Sequence, residues 1–290
     1  MTTIRSALVE AKNKLMAVSD VPHLEAEILL SHAIQEDRVY LYAWPEDKVD
    51  FSAYKKFIKD VQRRCQHEPL AYITGYREFW SLNLRVTPST LIPRPETECL
   101  VEEVLKVMSQ QQQVDVADLG TGSGAIILAL ATEKPHWQCH AVDNSESALL
   151  VAQENAGHLG VTSVTFHQGD WCAALPHANF DVIVSNPPYI AETEWVSCRQ
   201  NLQYEPVCAL VSGQDGLTAI REIAWAAMHY LRPGGYLLLE HGATQGENVC
   251  HLLSELGYSN IYSIKDRLGL TRVTVGICSD DKLRSGIQII

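Results

Sequence analysis

The stretch Asp118-Leu119-Gly120-Thr121-Gly122-Ser123-Gly124 decides the fold class of this chain. It follows an apolar, strand-like run at residues 114–117 and precedes a helical run at residues 125–132. A strand, a glycine-rich turn and a helix in this order let the backbone approach a nucleotide closely. We therefore predict that the loop binds a nucleoside cofactor rather than serving only as a packing turn, through Gly120, Thr121, Gly122, Ser123 and Gly124.

The loop and its surroundings favour a cofactor without phosphate. A dinucleotide would need the spacing G-x-G-x-x-G and room for a pyrophosphate at the helix N-terminus. Asp118 would repel a phosphate and could instead help to hold a zwitterionic methionine group. The next strand ends in Asp143, about 20 residues beyond the last glycine, where a carboxylate can accept both ribose hydroxyls. Trp171 follows the third strand, and its ring either stacks on adenine or packs in the core.

A second motif, Ser185-Asn186-Pro187-Pro188-Tyr189, follows the fourth strand of the pattern. It falls at the carboxyl edge of the predicted sheet, where open α/β folds bind ligands. Its two prolines lack N–H groups and make the segment rigid and extended, so that its carbonyls can accept hydrogen bonds from a ligand. The alternative is an ordinary turn at the end of a strand, but the combination with a glycine loop favours a reaction site.

The residues of this motif suit the methylation of a planar NH2 group. An amide nitrogen is a poor nucleophile because its lone pair is delocalised into the carbonyl. The side-chain oxygen of Asn186 and the backbone carbonyl of Pro187 could each accept one N–H and aim the nitrogen at the methyl donor. Tyr189 would stack on the planar group. The leaving group is a neutral thioether, so no general base is needed to start the reaction.

The rest of the sequence predicts two domains. Residues 1–75 carry helical periodicity, including Ile4, Ala7, Leu8, Ala11 and Leu15, and are predicted to form a small all-α domain. Residues 76–95 read as a hairpin-like connector, and residues 96–278 as an α/β domain, followed by a tail at 279–290. Its strands are predicted at 114–119, 138–142, 164–167, 180–184, 236–240, 261–264 and 272–277, the last two forming an antiparallel hairpin at the sheet edge.

Composition narrows the class of function. The chain has 290 residues, 46% of them hydrophobic, and a formal net charge of −12, which opposes binding to a phosphate backbone. Eight scattered cysteines contain no C-x-x-C pair, and His136 and His140 are predicted to lie in a turn, so no metal site is predicted. The N-terminus is interrupted by charges and the apolar runs are too short to cross a bilayer. We therefore expect a cytoplasmic protein that does not act at a membrane.

The chain resembles the peptide chain release factor glutamine N5-methyltransferases, the PrmC/HemK family. The resemblance extends to about Ile277 and is carried by the glycine loop, residues 186–189 and the following further segments: 68–73, 78–79, 91–98, 205–206 and 215–217. It implies a helical substrate-binding domain before a class I S-adenosylmethionine-dependent methyltransferase domain, Rossmann-like, with a seven-stranded sheet and an antiparallel last strand. The implied substrate is the glutamine of the Gly-Gly-Gln loop of a release factor, and the product of the cofactor is S-adenosylhomocysteine.

The resemblance also implies roles for individual residues. Cofactor contacts fall on residues 120–124, Asp143, Trp171 and Asn186, and substrate contacts on Asn186, Pro187, Pro188 and Tyr189, of which Asn186, Pro187 and Tyr189 are the catalytic candidates. The segment Pro93-Arg94-Pro95 either lines the entrance or acts as a rigid connector.

Three other interpretations fit parts of the pattern. A ribosomal-protein glutamine N5-methyltransferase would share the catalytic segment and differ in its recognition surface. An adenine-N6 nucleic-acid methyltransferase would also use an Asn-Pro-Pro-Tyr loop, but usually needs a flipped base and a basic channel, which the net charge disfavours. A catalytically silent cofactor-binding regulator is disfavoured by the intact Asn186.

Overall fold

The computed structural model describes residues 2–279, except for the side chains of Gln200 and Asn201. The chain forms two compact units, of which the first ends at Tyr76 and the second begins at Arg77. Of the predicted tail at 279–290, all but Ser279 lies outside the described residues. The predicted boundary at residue 95 falls between a hairpin and the first long helix of the second unit.

The described part of the first unit is helical, as predicted. Its helices are α1 Ile4–Leu15, α2 Pro22–Ile34, α3 Arg38–Ala43, α4 Phe51–Cys65 and α5 Leu70–Thr74. Short polar residues start two of them, because the side chains of Thr3 and Asp50 accept backbone N–H groups of the first turns of α1 and α4. Pro22 occupies the first turn of α2, where its missing N–H costs nothing.

The buried face of α1 follows the predicted periodicity. Helix α1 buries Ile4, Ala7, Ala11 and Leu15, and Leu8 is partly buried. Helix α2 buries Ala26, Glu27, Leu29, Leu30 and Ala33. The buried Glu27 carboxylate forms an ion pair with Arg38, which compensates for its loss of hydration.

A small hairpin opens the second unit. Strands β1 Tyr76–Phe79 and β2 Leu82–Arg85 form a two-stranded sheet. Trp80 and Ser81 connect them with φ angles of 53° and 58°, the two positive values that a tight turn between antiparallel strands requires. The chain then passes through a 3-10 turn at Pro95–Thr97 into α6 Glu98–Val107.

The second unit is built on a sheet of seven strands in the order β5-β4-β3-β6-β7-β9-β8. Their bounds are β3 Asp115–Leu119, β4 Gln138–Asp143, β5 Val164–Gln168, β6 Phe180–Ser185, β7 Leu231–Glu240, β8 Ser259–Lys265 and β9 Thr271–Ile277. Strand β9 pairs antiparallel with both β7 and β8, whereas the pairs among β3 to β7 are parallel. The predicted fold class is confirmed.

The remaining helices of the second unit are α7 Ala125–Glu133, α8 Glu146–Leu159, α9 Glu192–Leu202, α10 Thr218–Tyr230 and α11 Gly246–Leu256. They cover the sheet, and the core forms two apolar clusters. Residues 125–131 of α7 are all apolar, and because the helix is apolar on every side it is buried on every side.

Two local predictions differ from the structure. Strand β7 begins at Leu231, five residues before the predicted start. Leu231 pairs with Phe180 and Tyr236 pairs with Val182, so the residues between Leu231 and Tyr236 form a bulge within the strand. His140, predicted in a turn, lies inside β4, paired with Ala117 of β3. Pro135 lies in the short connection between α7 and β4, and the strand starts at Gln138.

The strand order creates a switch point between β3 and β6. From β3 the chain moves outward to β4 and β5, then returns to place β6 on the other side of β3. The connection after β3 leads toward one edge of the sheet, and the connection after β6 leads toward the other edge. A crevice opens between two such connections at the carboxyl ends of the strands. The sheet thus brings the glycine loop and the Asn186 segment to one crevice.

Candidate active site

The register of β3 and β6 sets the two predicted motifs side by side. Leu119 pairs with Ser185, so that the glycine loop and Asn186 leave the sheet at the same level. The Ser185 hydroxyl donates to the Leu119 carbonyl over 2.6 Å and is fully buried. This bond fastens the ends of the two strands together.

The glycine loop needs glycine for two physical reasons. Gly120, Gly122 and Gly124 have φ angles of 73°, 56° and 84°, in the left-handed region. A Cβ on Gly120 would lie 3.2 Å from Cζ3 of Trp171, whereas a Cβ on Gly122 would meet no protein atom within 4 Å. The backbone at Gly120 is thus covered by an indole ring, and the backbone at Gly122 faces open space.

Asp118 does not face that space, which corrects the suggestion that it holds a methionine group. It is fully buried beneath the loop, where it accepts a hydrogen bond of 2.7 Å from the Thr121 hydroxyl. Burial raises the pKa of Asp118 to about 7. Asp118 therefore supports the loop from below and is not among the residues that line the cleft.

Asp143 lies at the end of β4 with its carboxylate between two backbone donors. The N–H of Gly122 donates to Oδ2 and that of Ser145 donates to Oδ1, both over 2.9 Å. Burial raises the pKa of Asp143, and these two bonds oppose the shift. Each carboxylate oxygen has further lone pairs, so the group can also accept hydroxyl protons from a ligand in the cleft.

Trp171 starts a 3-10 turn after β5. Its φ of 43° is unusual for a bulky residue, and its indole Nε1 donates to Glu222 over 3.2 Å. The ring lines the cleft beside Gly120. It thus offers an aromatic face at the position where the sequence predicted one.

The cleft at the switch point holds about 1020 Å³ of space, counting the part open to solvent. That is at the upper end of the size range of small-molecule sites. Among the residues that line it, Arg94 is basic while Asp143 and Asp170 are acidic. The lining includes these predicted residues: Gly120, Thr121, Gly122, Ser123, Asp143, Trp171, Asn186, Pro187 and Pro188. Gly124 lies at the N-cap of α7, directly behind the loop.

Asn186 is held by its amide nitrogen. Nδ2 donates to the Thr97 hydroxyl over 3.2 Å, and the Asn186 amide lies close enough to Glu240 to lower the raised pKa of that carboxyl group. The amide nitrogen is thus directed at Thr97. The side-chain oxygen of Asn186 is consequently the atom available to a ligand in the cleft.

Glu240 is a site residue that the sequence reasoning missed. It ends β7 and is 1% exposed, and burial raises its pKa to about 7, although Thr97, Arg272 and Asn186 each oppose the shift. The sequence places Glu240 at the end of the predicted strand 236–240, at the same sheet edge as the two motifs. Its burial and its neighbours come from segments distant in the sequence, so the strand pattern alone does not reveal them.

Tyr189 is a predicted site residue that is not among the residues lining the cleft. Its partly buried side chain packs against the second apolar cluster, and burial raises its pKa to about 12. Its carbonyl accepts a hydrogen bond from Gln245 Nε2 over 3.0 Å. The stacking of its ring on the substrate stays a prediction.

Residues 91–97, here called the entrance segment, are anchored by Glu205, which is 4% exposed. Its Oε2 accepts the backbone N–H of Ile92 over 3.1 Å, and its Oε1 accepts the Arg94 guanidinium. Leu91, Pro93 and Arg94 line the cleft. Of the two roles considered for residues 93–95, the structure thus supports both, a rigid connector that also forms the wall.

Other proteins share this arrangement over most of the chain. Family models match at residues 6–75, described as the PrmC N-terminal domain, and at residues 110–273, described as a methyltransferase domain. The release factor glutamine methyltransferase of Coxiella burnetii is 46% identical, covering 95% of this chain and 99% of that protein. Its counterpart in Escherichia coli K12 is 42% identical, covering 93% and 96%.

The chain belongs to the release factor glutamine methyltransferase family. This confirms the resemblance stated from the sequence. The relatives are named as glutamine methyltransferases. The chain is a methyltransferase that contains both the N-terminal domain, at residues 6–75, and the methyltransferase domain, at residues 110–273.

Solved structures of low sequence identity share the methyltransferase fold. A methyltransferase from Pyrococcus furiosus aligns with a TM-score of 0.50 at 18% identity, over 68% of this chain and 89% of that one. The 16S rRNA N2 G1207 methyltransferase of Thermus thermophilus aligns with a TM-score of 0.52 at 19% identity, over 70% and 49%. Across residues 2–279, no helix combines the length and the apolar character needed to cross a membrane.

Proposed function

We propose that this chain transfers a methyl group from S-adenosylmethionine to the side-chain amide nitrogen, N5, of the glutamine in the Gly-Gly-Gln loop of peptide chain release factors. The family supports the reaction and the substrate class. The observation that carries the proposal is the orientation of Asn186: its amide nitrogen donates to the Thr97 hydroxyl, which leaves the amide oxygen for a ligand in the cleft that Asn186 lines.

The glycine-loop half of the cleft fits the cofactor. S-adenosylmethionine supplies an electrophilic methyl group on a sulfonium and leaves as the neutral thioether S-adenosylhomocysteine. Asp143 would accept the ribose hydroxyls, and Trp171 would cover the adenine. The backbone of residues 120–124 would hold the methionine portion, in the same cleft that Asn186 lines. The fit is supported by charge, since Asp143 and Asp170 line the cleft while its basic residue, Arg94, is paired with Glu205.

The other half of the cleft positions the glutamine amide. The Asn186 oxygen and the Pro187 carbonyl each accept one N–H of the substrate NH2 group, which fixes the plane of the amide. Its nitrogen then points along the direction in which the methyl group is transferred. Pro187 is buried and Pro188 lines the cleft, so this geometry is imposed by a rigid backbone. Once the new N–C bond has formed and the thioether has left, the methylated nitrogen releases one proton to water, which reaches the cleft through its open side.

We infer that the helical unit supplies most of the affinity for the release factor. A glutamine side chain alone offers few atoms, so specific binding requires a second surface. Residues 6–75 match a domain family separate from the catalytic one, which supports a separate role. The enzyme would act in the cytoplasm, where release factors function in translation termination.

The proposal is tested by incubating the chain with isotope-labelled S-adenosylmethionine and either a release factor, a ribosomal protein mixture or an adenine-containing RNA. Mass spectrometry then locates the label. We expect one methyl group on the glutamine of the Gly-Gly-Gln loop. Label on a ribosomal-protein glutamine or on adenine N6 would instead support one of the two alternative substrates and contradict the proposal.

A further inference from the structure

Three side chains with metal-binding atoms meet away from the cleft. Asp115 opens β3, His140 lies in β4, and His177 belongs to the segment that leads into β6. The cleft lies at the carboxyl ends of these parallel strands, whereas Asp115 is the first residue of β3. The cluster thus has no part in the proposed methyl transfer.

Each histidine lies near a different oxygen of Asp115, at a separation close to that between two ligands of one small cation. Nε2 of His140 lies 3.3 Å from Asp115 Oδ1, and Nε2 of His177 lies 3.4 Å from Asp115 Oδ2. Tetrahedral zinc with bonds of about 2.0–2.1 Å separates its ligand atoms by about 3.3–3.4 Å. The ligand atoms of the three residues all lie within 4.8 Å of one another.

The hydrogen bond of His177 determines which of its nitrogens carries a proton. Nδ1 lies 2.9 Å from the Ala178 carbonyl, which can only accept, so Nδ1 carries the hydrogen. In the neutral ring, Nε2 then turns a lone pair toward the Asp115 carboxylate. A cation between Nε2 and the carboxylate would be coordinated by both. A metal-binding histidine typically has its other N–H bound to a carbonyl in this way.

His140 is prepared in a similar manner. Its Nδ1 lies 3.0 Å from Nε2 of His167, which can accept the Nδ1 hydrogen and leave Nε2 of His140 directed at Asp115. Its ring also stacks on that of His167, with centroids 5.2 Å apart.

The orientations of the two rings are fixed by Phe180. The His177 ring stacks on Phe180 with centroids 4.7 Å apart and planes at 10°, and the His140 ring meets the same phenyl edge-on at 5.3 Å. The backbone of Asp115 is held by its N–H bond of 2.7 Å to Asp181. Oδ1 of Asp115 is buried and has no hydrogen-bond partner among residues 2–279. The ligand atoms are therefore positioned before any ion arrives.

We propose that Asp115, His140 and His177 bind one zinc ion, with water as the fourth ligand. Two imidazoles and a carboxylate suit zinc, whereas magnesium prefers oxygen ligands. The His177 side chain is 43% exposed, which leaves a path for the ion and room for the water. The ion ties the segment before β6 to β3 and β4, so that its effect is on the stability of this part of the sheet.

The test uses the full chain without an affinity tag, stripped of metal by a chelator and titrated with Co²⁺ as a spectroscopic probe, then with Zn²⁺ in competition. We expect one ion per chain, visible absorption typical of four-coordinate cobalt, no thiolate charge-transfer band, and a rise in Tm with Zn²⁺. His177→Gln, in a segment outside the strands, should weaken binding at least about tenfold.

His251→Gln is the matched control, because His251 is exposed and also lies beside a carboxylate, that of Glu255, at 3.3 Å. It should bind cobalt like the unmodified chain. Asp115→Asn provides a second variant and should also lose affinity. Equal affinity of His177→Gln and His251→Gln, a thiolate band from one of the cysteines, or no binding by the unmodified chain would each overturn the proposal.

Discussion

Asn186 and Thr97 are joined by a hydrogen bond of 3.2 Å, from the amide nitrogen of one to the hydroxyl of the other, although 89 positions separate them in the chain. Thr97 ends the entrance segment and Asn186 follows β6. The bond therefore links the wall of the cleft to the group proposed to hold the substrate amide, and it determines which end of the Asn186 side chain faces the substrate.

Removing this acceptor should slow methyl transfer without affecting the cofactor. In Thr97→Val the Asn186 N–H loses a buried partner, which costs about 1–2 kcal/mol, or roughly 5- to 30-fold in kcat. Thr97→Ser keeps the hydroxyl and should retain most of the activity. Single-turnover kinetics and calorimetric titration with S-adenosylmethionine separate the two effects. A similar loss in both variants would show that the methyl group of Thr97, and not its hydroxyl, matters.

Asp143→Ala should weaken S-adenosylmethionine binding by about 1.5–3 kcal/mol, because charge-assisted hydrogen bonds to the ribose are lost. The variant also removes the acceptor for Gly122 and Ser145, so some loosening of the loop adds to the effect. Glu146→Ala removes an exposed carboxylate three residues away and serves as the control. Titration calorimetry measures both. An unchanged dissociation constant in Asp143→Ala would remove the ribose role.

Glu240 should make stability depend on pH. Its pKa is about 7 in the folded chain against 4.5 as the ordinary value, so between these pH values the folded state holds a proton that the unfolded state has released. The free energy of unfolding therefore falls as pH rises through this window, by about 1.4 kcal/mol per unit from this group. The contribution levels off above about pH 7.

Glu240→Gln removes that titration. We expect the variant to gain stability relative to the unmodified chain by about 3 kcal/mol between pH 4.5 and pH 8, given the shift from 4.5 to about 7. Urea unfolding at several pH values measures the difference. Asp118 has a similarly raised pKa and remains in both proteins, so it cancels. Parallel stability profiles for the two proteins would contradict the assignment.

The strands of the sheet and the positions of both loops could be predicted because they depend on local patterns. Each strand of the predicted α/β series is present, and the motifs at 118–124 and 186–188 follow the strands expected. Burial and side-chain direction depend on partners distant in sequence. Asp118 turns inward to Thr121, and the partly buried ring of Tyr189 packs against the second apolar cluster. No local spacing in the sequence reveals either arrangement.

The contacts across the cleft were the least predictable feature. Glu205 binds Ile92 and Arg94 from more than a hundred residues away, and Glu240 reaches Asn186 and Thr97 from a different strand. The histidines beside Asp115 come together only once β3, β4 and β6 are adjacent. Such groupings depend on sheet order, which fixes neighbours that the linear sequence separates.

A chain that begins at Tyr76 should separate recognition from chemistry. If the helical unit binds the release factor, the shortened chain keeps its affinity for S-adenosylmethionine and its activity on a short Gly-Gly-Gln peptide. It loses most of its kcat/KM toward an intact release factor, because remote binding energy no longer positions the amide. Circular dichroism first verifies that it folds. Equal losses on the peptide and the intact factor would mean that the helical unit only stabilises the catalytic one.

The central claim is that the Asn186 oxygen holds the substrate amide in its reactive orientation, and single-turnover methylation of an intact release factor by Asn186→Ala tests it most directly. The account predicts that the cofactor dissociation constant stays within about threefold while the rate of transfer to the Gly-Gly-Gln glutamine falls at least about a hundredfold. A variant that methylates this glutamine at the unmodified rate, with saturating release factor, would contradict it.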